Sequence, residues 1–114
     1  MSCIFCNHKQ LDIIAENQHC IAVRDKFPVT KLHTLIISRR CVETPFELTR
    51  DEMFNMLELA DQCRHDIMEQ DSSVAGFNFG ANVGAVAGQK IMHVHFHLIP
   101  RRSGDITPPP AREG

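Results

Sequence analysis

Hydrophobic and polar residues alternate strictly near the carboxyl end of the chain, a pattern that predicts a β-strand with two different faces. Residues 93–100 have the sequence HVHFHLIP, so every second position of the first five is a histidine. Successive side chains on one face of a strand lie about 6.6 Å apart, which is twice the rise per residue. We therefore expect His93, His95 and His97 to form one row along a single strand face.

Three segments farther upstream also have the composition of strands. Cys20–Arg24 is predicted as a short strand, and His33–Ile37 as a buried strand rich in β-branched residues. The turn-prone segment Asp25–Pro28 lies between them, which predicts that the two strands pair antiparallel. Ala75–Gly80 is predicted as a third strand, and the glycine-containing loop 82–89 leads from it into the histidine strand.

One long helix is predicted in the middle of the chain. Thr49 and Glu52 form a capping-box signature, in which the threonine hydroxyl accepts from a first-turn amide and the glutamate reaches back to the N-cap amide. The segment Asp71–Ser73 is expected to end the helix. Apolar residues recur at the spacing of one helix face, and those expected in the core are Met53, Met56, Leu57, Ala60, Cys63, Ile67 and Met68.

The order strand, strand, helix, strand, strand predicts an α+β fold in which one main helix packs on an antiparallel sheet. A chain of 114 residues is long enough for one hydrophobic core and too short for two. We assign residues 1–105 to this domain. Residues 106–114 contain three consecutive prolines and are expected to form an extended or disordered tail.

Charge and composition narrow the classes of partner. The formal net charge of -2 argues against a broad basic face, so no nucleic-acid partner is expected. No apolar run approaches the roughly 20 residues that span a bilayer, and the amino terminus lacks the features of a signal peptide. We therefore expect a cytoplasmic protein without a membrane partner. In that compartment its five cysteines are expected to be thiols or metal ligands rather than disulfides.

Three interpretations fit the histidine row taken alone. The row can be a polar face exposed to solvent, or a metal site built from neutral imidazoles. It can also be a catalytic row, in which one imidazole attacks phosphorus while its neighbours hold the phosphate oxygens. An imidazole with the reference pKa of about 6.5 is partly neutral near pH 7, as both the metal and the catalytic interpretation require.

The loop before the row favours a phosphate-containing ligand. Asn82 and Gln89 supply carboxamide groups, and Gly84 and Gly88 allow the backbone to approach phosphate oxygens closely. A glycine-containing loop alone is usually a plain turn. Joined directly to a histidine row, it favours a loop that contacts phosphate oxygens.

These residues resemble the histidine-triad (HIT) family of nucleotide hydrolases and transferases. The resemblance rests on His33–Ile37, on Gly88-Gln89, and on the segment His93–Arg101; Cys3–Cys6 and Asp25–Pro28 are also similar. It extends over roughly residues 3–105, and the bacterial diadenosine polyphosphate hydrolase-like branch is the most similar. The resemblance implies a HIT-like fold and a substrate class of nucleoside monophosphate conjugates, with a purine base expected.

The resemblance also implies roles for individual residues. His95 is the expected nucleophile that forms a nucleotidyl-histidine intermediate, His97 the expected partner of the leaving group, and His33 the histidine that orients the row. The residues expected to bind substrate are Asp25 on the ribose hydroxyls, Asn82, Gly88 and Gln89 on phosphate, and Phe5, Val23 and Phe27 around the base. Lys90 departs from the hydroxyl residue common at its position, and it either supplies charge to a polyphosphate or faces solvent.

A second group of candidate site residues consists mainly of cysteines. Some HIT proteins complete a C-x-x-C pair with a residue after the second strand and with the first histidine of the row. The corresponding residues here are Cys3, Cys6, Cys41 and His93, a set that suits a closed tetrahedral structural zinc site. His8 and Cys20 remain alternative ligands at this level, and Cys41 can instead be a simple buried thiol.

The resulting hypothesis is a cytoplasmic homodimeric enzyme that cleaves dinucleoside polyphosphates or nucleoside phosphoramidates at the α-phosphate. It needs no organic cofactor, and magnesium can accompany a polyphosphate substrate. Two alternatives come from other classes: a catalytically weak nucleotide-binding protein, and a zinc-containing interaction module in which the histidines serve the metal.

Overall fold

The computed structural model describes residues 3–106 and contains one antiparallel sheet and one long helix. The strands and the helix, in chain order, are β1 (Ile13–Glu16), β2 (Cys20–Arg24), β3 (Thr34–Ser38), α1 (Arg50–Gln70), β4 (Val74–Gly80) and β5 (His95–Arg102). Short 3₁₀ turns lie at His8–Gln10, Pro45–Glu47 and Ala85–Ala87. The α+β class, with a single main helix on the sheet, is confirmed.

The sheet places the histidine strand between two others. Its strand order is β1-β2-β3-β5-β4, and every neighbouring pair runs antiparallel. The predicted pairing of β2 with β3 is therefore confirmed. On β5, His95 lies opposite Ile37 and His97 opposite Leu35 of β3, so each histidine shares a sheet face with an apolar neighbour.

Helix α1 covers one face of the sheet. Its capping box is present: the Glu52 N–H donates to Thr49 Oγ1 (3.1 Å), and the Thr49 N–H donates to a Glu52 carboxylate oxygen (2.8 Å). Buried residues of the helix pack against strand residues that face it, among them Ala22, Ile36, Phe96 and Leu98. The opposite face carries a smaller apolar cluster of Phe5, Ile21, Val23, Leu35 and Ile37. His95 and His97 lie on this second face, away from the helix.

Three sequence-based expectations need correction. Strand β1 is absent from the predicted elements, because its alternation of apolar and polar residues covers only four positions. His93 precedes β5 in a bend, so the strand begins at His95 and carries two histidines of the row. On α1, Leu57 and Met68 are exposed, while Leu59 takes a core position instead.

The carboxyl-terminal tail cannot be compared with its prediction, since residues 107–114 lie outside the described range. Within residues 3–106, no helix combines the length and the apolar character that crossing a bilayer requires.

Candidate active site

His95 has its imidazole tautomer fixed by the backbone. Its Nδ1 lies 2.8 Å from the carbonyl oxygen of His93. A carbonyl oxygen only accepts, so Nδ1 carries the proton and donates it to this bond. In the neutral ring, Nε2 is then left with an unshared electron pair, as a nucleophile requires.

A chain of hydrogen bonds fixes the tautomer of His97. The Val29 N–H donates to His33 Nδ1 (3.0 Å), so the proton of neutral His33 sits on Nε2. His33 Nε2 in turn donates to His97 Nδ1 (2.9 Å). The proton of neutral His97 is therefore on Nε2, at the opposite side of the ring from His33. Burial lowers the pKa of both His33 and His97, which keeps the two rings neutral near pH 7.

Asp25 lies at the edge of this chain. One carboxylate oxygen accepts from the Phe27 N–H (2.8 Å), and the other is 3.5 Å from His33 Nε2. Because the Val29 N–H already occupies His33 Nδ1, the contact with Asp25 joins a carboxylate to a neutral imidazole rather than to an imidazolium. The Asp25 charge raises the pKa of His33, but burial outweighs it.

The four residues predicted for the ribose and base line one cavity. This cavity of about 650 Å³ is lined by Phe5, Val23, Asp25 and Phe27, and also by Leu35. Phe5 and Val23 are buried in the apolar cluster, whereas Phe27 is 87% exposed. The Phe5 ring meets the His95 ring edge-on at 5.1 Å between centroids. The cavity therefore lies beside the proposed nucleophile, as a nucleotide site requires.

The glycine loop is held by its own glutamine. Gln89 is buried; its Nε2 donates to the carbonyl oxygens of Glu43 (2.8 Å) and Ile91 (3.1 Å), and its Oε1 accepts from the Gly84 N–H (2.8 Å). In this arrangement the Gln89 side chain braces the loop. Its predicted contact with phosphate would require the side chain to leave these partners, and it stays a prediction.

Gly88 and Asn82 touch each other within the same loop. Gly88 has a φ of +97°, and a Cβ there would lie 3.3 Å from Asn82 Nδ2, so the position suits glycine alone. Asn82 lines a second groove of about 430 Å³ together with His33 and His97. Two of the three predicted phosphate-side residues are thus adjacent, and Asn82 faces the same groove as His97. Lys90 is exposed.

The four predicted metal ligands come together. The ligand atoms of Cys3, Cys6, Cys41 and His93 all lie within 4.8 Å of one another. His93 Nδ1 is 3.3 Å from Cys3 Sγ and 3.5 Å from Cys6 Sγ. A tetrahedral zinc with bonds of about 2.0–2.1 Å to nitrogen and 2.3 Å to sulfur places these atoms about 3.5 Å apart.

The tautomer of His93 also suits a metal. Its Nε2 donates to the Ser38 carbonyl oxygen (2.6 Å), which leaves the electron pair of Nδ1 directed at the thiols. Hydrogen bonding to Cys41, burial and the nearby Cys3 thiol raise the pKa of Cys6 to about 12. Without a cation, this crowding favours protonated thiols over several adjacent thiolates. A divalent cation would favour the thiolates instead.

The alternative ligands lie elsewhere. Cys20 is buried on the helix side of the sheet, where its thiol contacts the Glu52 carbonyl oxygen at 3.9 Å. His8 does not belong to the four-residue cluster found within residues 3–106, and its buried Nε2 has no hydrogen-bond partner there. Sequence reasoning missed the Val29 amide and the Ser38 carbonyl, because backbone groups that set a histidine tautomer leave no mark in the residue types.

Comparison with known proteins gives a consistent result. A family model described as the HIT domain matches residues 7–104. An uncharacterized HIT-like protein of Mycoplasma genitalium is 36% identical over 104 residues, which cover 88% of this chain and 73% of that protein. An adenosine 5'-monophosphoramidase of Schizosaccharomyces pombe is 32% identical over 105 residues, covering 89% of this chain and 75% of that enzyme.

Solved structures show the same fold. A HIT family protein from Bacillus anthracis superposes with a TM-score of 0.84 at 30% identity, covering 99% of this chain and 82% of that one. A Zn-bound histidine triad family protein from Mycobacterium smegmatis gives a TM-score of 0.83 at 28% identity, covering 92% of this chain and 78% of that one.

Proposed function

This chain belongs to the HIT domain family, and on that premise we propose that it cleaves nucleotides at the α-phosphate through a covalent nucleotidyl-His95 intermediate. The observation that carries the proposal is the hydrogen bond from His95 Nδ1 to the His93 carbonyl. It leaves Nε2 of a half-buried imidazole free beside a cavity large enough for a nucleoside.

The reaction divides into two displacements. In the first, His95 Nε2 forms a bond to the α-phosphorus and the leaving group departs. In the second, water breaks that bond and releases the nucleoside monophosphate. One difficult substitution is thereby replaced by two easier ones. While the bond to phosphorus exists, the Nδ1–H of His95 still donates to the His93 carbonyl, which stabilises the positive charge on the ring.

The neighbouring residues support this reaction. His97 donates a hydrogen bond from Nε2 to the leaving atom, where charge develops. Asp25 accepts hydrogen bonds from the ribose hydroxyls, while Phe5, Val23 and Phe27 surround the base. Asn82, Gly88 and Gln89 are assigned to the phosphate side. The Schizosaccharomyces pombe relative, an adenosine 5'-monophosphoramidase, favours adenosine 5'-phosphoramidates as substrates, with dinucleoside polyphosphates as the second class to test.

Replacement of the nucleophile tests the proposal. We expect His95→Asn to lower turnover of an adenosine 5'-phosphoramidate at least about 10⁴-fold, because no other side chain offers a free nitrogen at this position. The thermal midpoint and AMP binding should stay close to those of the original protein. The control is His65→Asn on the exposed side of α1. If His95→Asn retained normal turnover on both substrate classes, the assignment of the nucleophile would be wrong.

We further propose a structural zinc held by Cys3, Cys6, Cys41 and His93. The ligand distances and the His93 tautomer support it, and a related structure is Zn-bound. When bound, the ion would tie the amino-terminal segment to the end of β3 and take no part in the reaction. We expect about one zinc per chain in protein purified without chelators, and loss of most of it in Cys41→Ser. A chain free of zinc under those conditions would contradict the assignment.

A homodimer is proposed from the outer face of α1. Phe54, Leu57 and Met68 are 62%, 51% and 43% exposed, and they lie on one stripe of the helix. The middle of this stripe holds the ion pair between Asp61 and Arg64 (2.7 Å). Two antiparallel copies would place Phe54 near Met68 and Asp61 near Arg64 of the other chain, which is the self-complementarity that a twofold interface needs.

A further inference from the structure

Phe5 joins parts of the molecule that the proposed function treats separately. It lies between Cys3 and Cys6 in sequence, and its side chain is only 4% exposed. Its ring packs edge-on against the rings of His93 and His95, with distances between ring centroids of 6.0 Å and 5.1 Å. It also lines the cavity beside Asp25. The thiol cluster, the nucleophile and the cavity therefore share one side chain.

The segment Cys3–Cys6 is attached to the sheet mainly through its side chains. It lies ahead of the first strand, and the hydrogen bond from the Cys6 N–H to the Cys3 carbonyl (3.0 Å) closes its turn. Cys3 and Cys6 contact His93, and Phe5 packs in the apolar cluster with Val23 and Leu35. Fixing the two sulfur atoms at His93 thus also fixes the Phe5 ring between them.

His93 provides a second connection. Its Nδ1 faces the thiols, while its own carbonyl oxygen accepts the His95 Nδ1–H at 2.8 Å. The backbone that sets the tautomer of the nucleophile is therefore the backbone of a residue in the thiol cluster.

We propose that Phe5 is a positioning residue that couples the thiol cluster to the nucleotide cavity. A divalent metal on Cys3, Cys6, Cys41 and His93, and a nucleoside monophosphate in the cavity, then each increase the affinity for the other. The inference rests on the proposed function for the location of the nucleotide. Its physical basis is that the ligand bound first orders residues 3–6. The second ligand then binds to a site whose ordering cost has already been met.

Two titrations measure the coupling from both sides. Binding of AMP is followed by calorimetry in zinc-loaded and in metal-free protein, with a phosphine reductant to keep the thiols reduced. We expect AMP to bind about five- to tenfold more tightly to the zinc-loaded form, within the usual range for coupled sites. Affinity for Co²⁺, followed by its thiolate absorption bands, should rise by the same factor in saturating AMP, because equilibrium coupling is reciprocal.

A pair of variants assigns the coupling to Phe5. Phe5→Leu keeps an apolar side chain in the cluster but removes the edge-on contact with His95, and we expect its ratio of affinities to fall to within about twofold of unity. Ile4→Leu is the control, because Ile4 occupies the same turn and lines the same cavity but is 59% exposed. Each variant is judged by the ratio of its own two affinities, so a uniform loss of stability does not imitate the effect.

The outcomes separate this inference from the proposed function. Equal AMP affinities with and without metal, beside turnover that depends on His95, would overturn the coupling and leave the enzymatic proposal intact. Absence of AMP binding in both forms would overturn the two together. If Ile4→Leu lost the coupling as completely as Phe5→Leu, Phe5 would not be the connecting residue.

Discussion

The properties of the histidines are set by residues that have no obvious chemistry of their own. The Val29 amide determines where His33 carries its proton, and His33 passes that constraint to His97. The His93 carbonyl does the same for His95. Neighbouring imidazoles of one strand are thereby given opposite tautomers, one with a free Nε2 and one with a protonated Nε2. This difference is what separates a nucleophile from a hydrogen-bond donor.

The role of His97 can be tested by varying the leaving group. We expect His97→Gln to slow cleavage of an alkylamine phosphoramidate of AMP by about 10²–10³-fold, since a lost donor to developing charge has about this effect. A p-nitrophenyl ester of AMP should lose much less, because its leaving group needs little stabilisation. The ratio of kcat/KM values for the two substrates is the measurement, with His65→Gln as control. An equal loss on both substrates would contradict a role at the leaving atom.

The sequence predicted which residues the structure brings together, but not the backbone groups of Val29 and Ser38 that bond to His33 and His93. Alternation and the family resemblance identified His95, and the register with β3 explains why His97 meets His33. The cysteine spacing suggested a metal site, although the closeness of Cys41 to Cys3 depends on how β3 ends. Gln89 shows the limit of residue type, since a carboxamide in a glycine loop fits either a phosphate contact or, as observed, a brace on backbone groups.

At the scale of elements, capping signals were more reliable than apolar spacing. Thr49 and Glu52 marked the start of α1 correctly, because the capping box is a local interaction. Five of the seven predicted core residues of α1 do face the core, while Leu57 and Met68 are exposed and Leu59, which was not among the seven, is buried. A hydrophobic surface stripe and a core stripe can coexist on one helix, and only the position of the sheet decides between them.

The exposed stripe of α1 leads to a prediction about assembly. We expect Leu57→Glu to convert a dimer to a monomer at micromolar concentration, since it places a charge within the apolar part of the twofold contact. Gln62→Glu is the matched control, because it adds the same charge on the same helix about 140° away. Analytical ultracentrifugation of both variants gives the measurement. A dimer that survived Leu57→Glu, or an original chain that is monomeric, would show that another surface or none is used.

At the scale of the whole molecule, the two faces of the sheet have separate tasks. The helix side holds most of the buried apolar side chains, and the opposite side holds the histidines, the cavity and the thiol cluster. Glu52 connects the helix to the residue before Cys41. It caps α1, and its carboxylate accepts hydrogen bonds of 3.0 and 2.9 Å from the Arg40 guanidinium. Stability and function therefore share a few ionisable groups, and both should depend on pH.

The pH dependence of stability follows from the pKa values of these groups. Burial lowers the pKa of His33 and His97 in the folded protein, so as pH falls through about 6.5 the unfolded chain takes up protons that the folded chain resists. The free energy of unfolding should then decrease on acidification, by at most about 1.4 kcal/mol per pH unit for each histidine. A second decrease is expected below about pH 4.5, because Arg40 holds the pKa of Glu52 at about 2.

Urea unfolding from pH 8 to pH 3, in a chelator so that metal release does not contribute, separates the two windows. His33→Gln should flatten the decrease between about pH 6.5 and 5, since one buried imidazole no longer resists protonation. His65→Gln, which alters an exposed imidazole outside the chain from His33 to His97, is the control. Glu52→Gln should remove part of the decrease below about pH 4.5 while leaving the upper window in place. A His33→Gln profile parallel to that of the original chain would mean that the buried ring is protonated as easily in the folded state as in the unfolded one. The assignment of a neutral His33 that orients His97 would then be wrong.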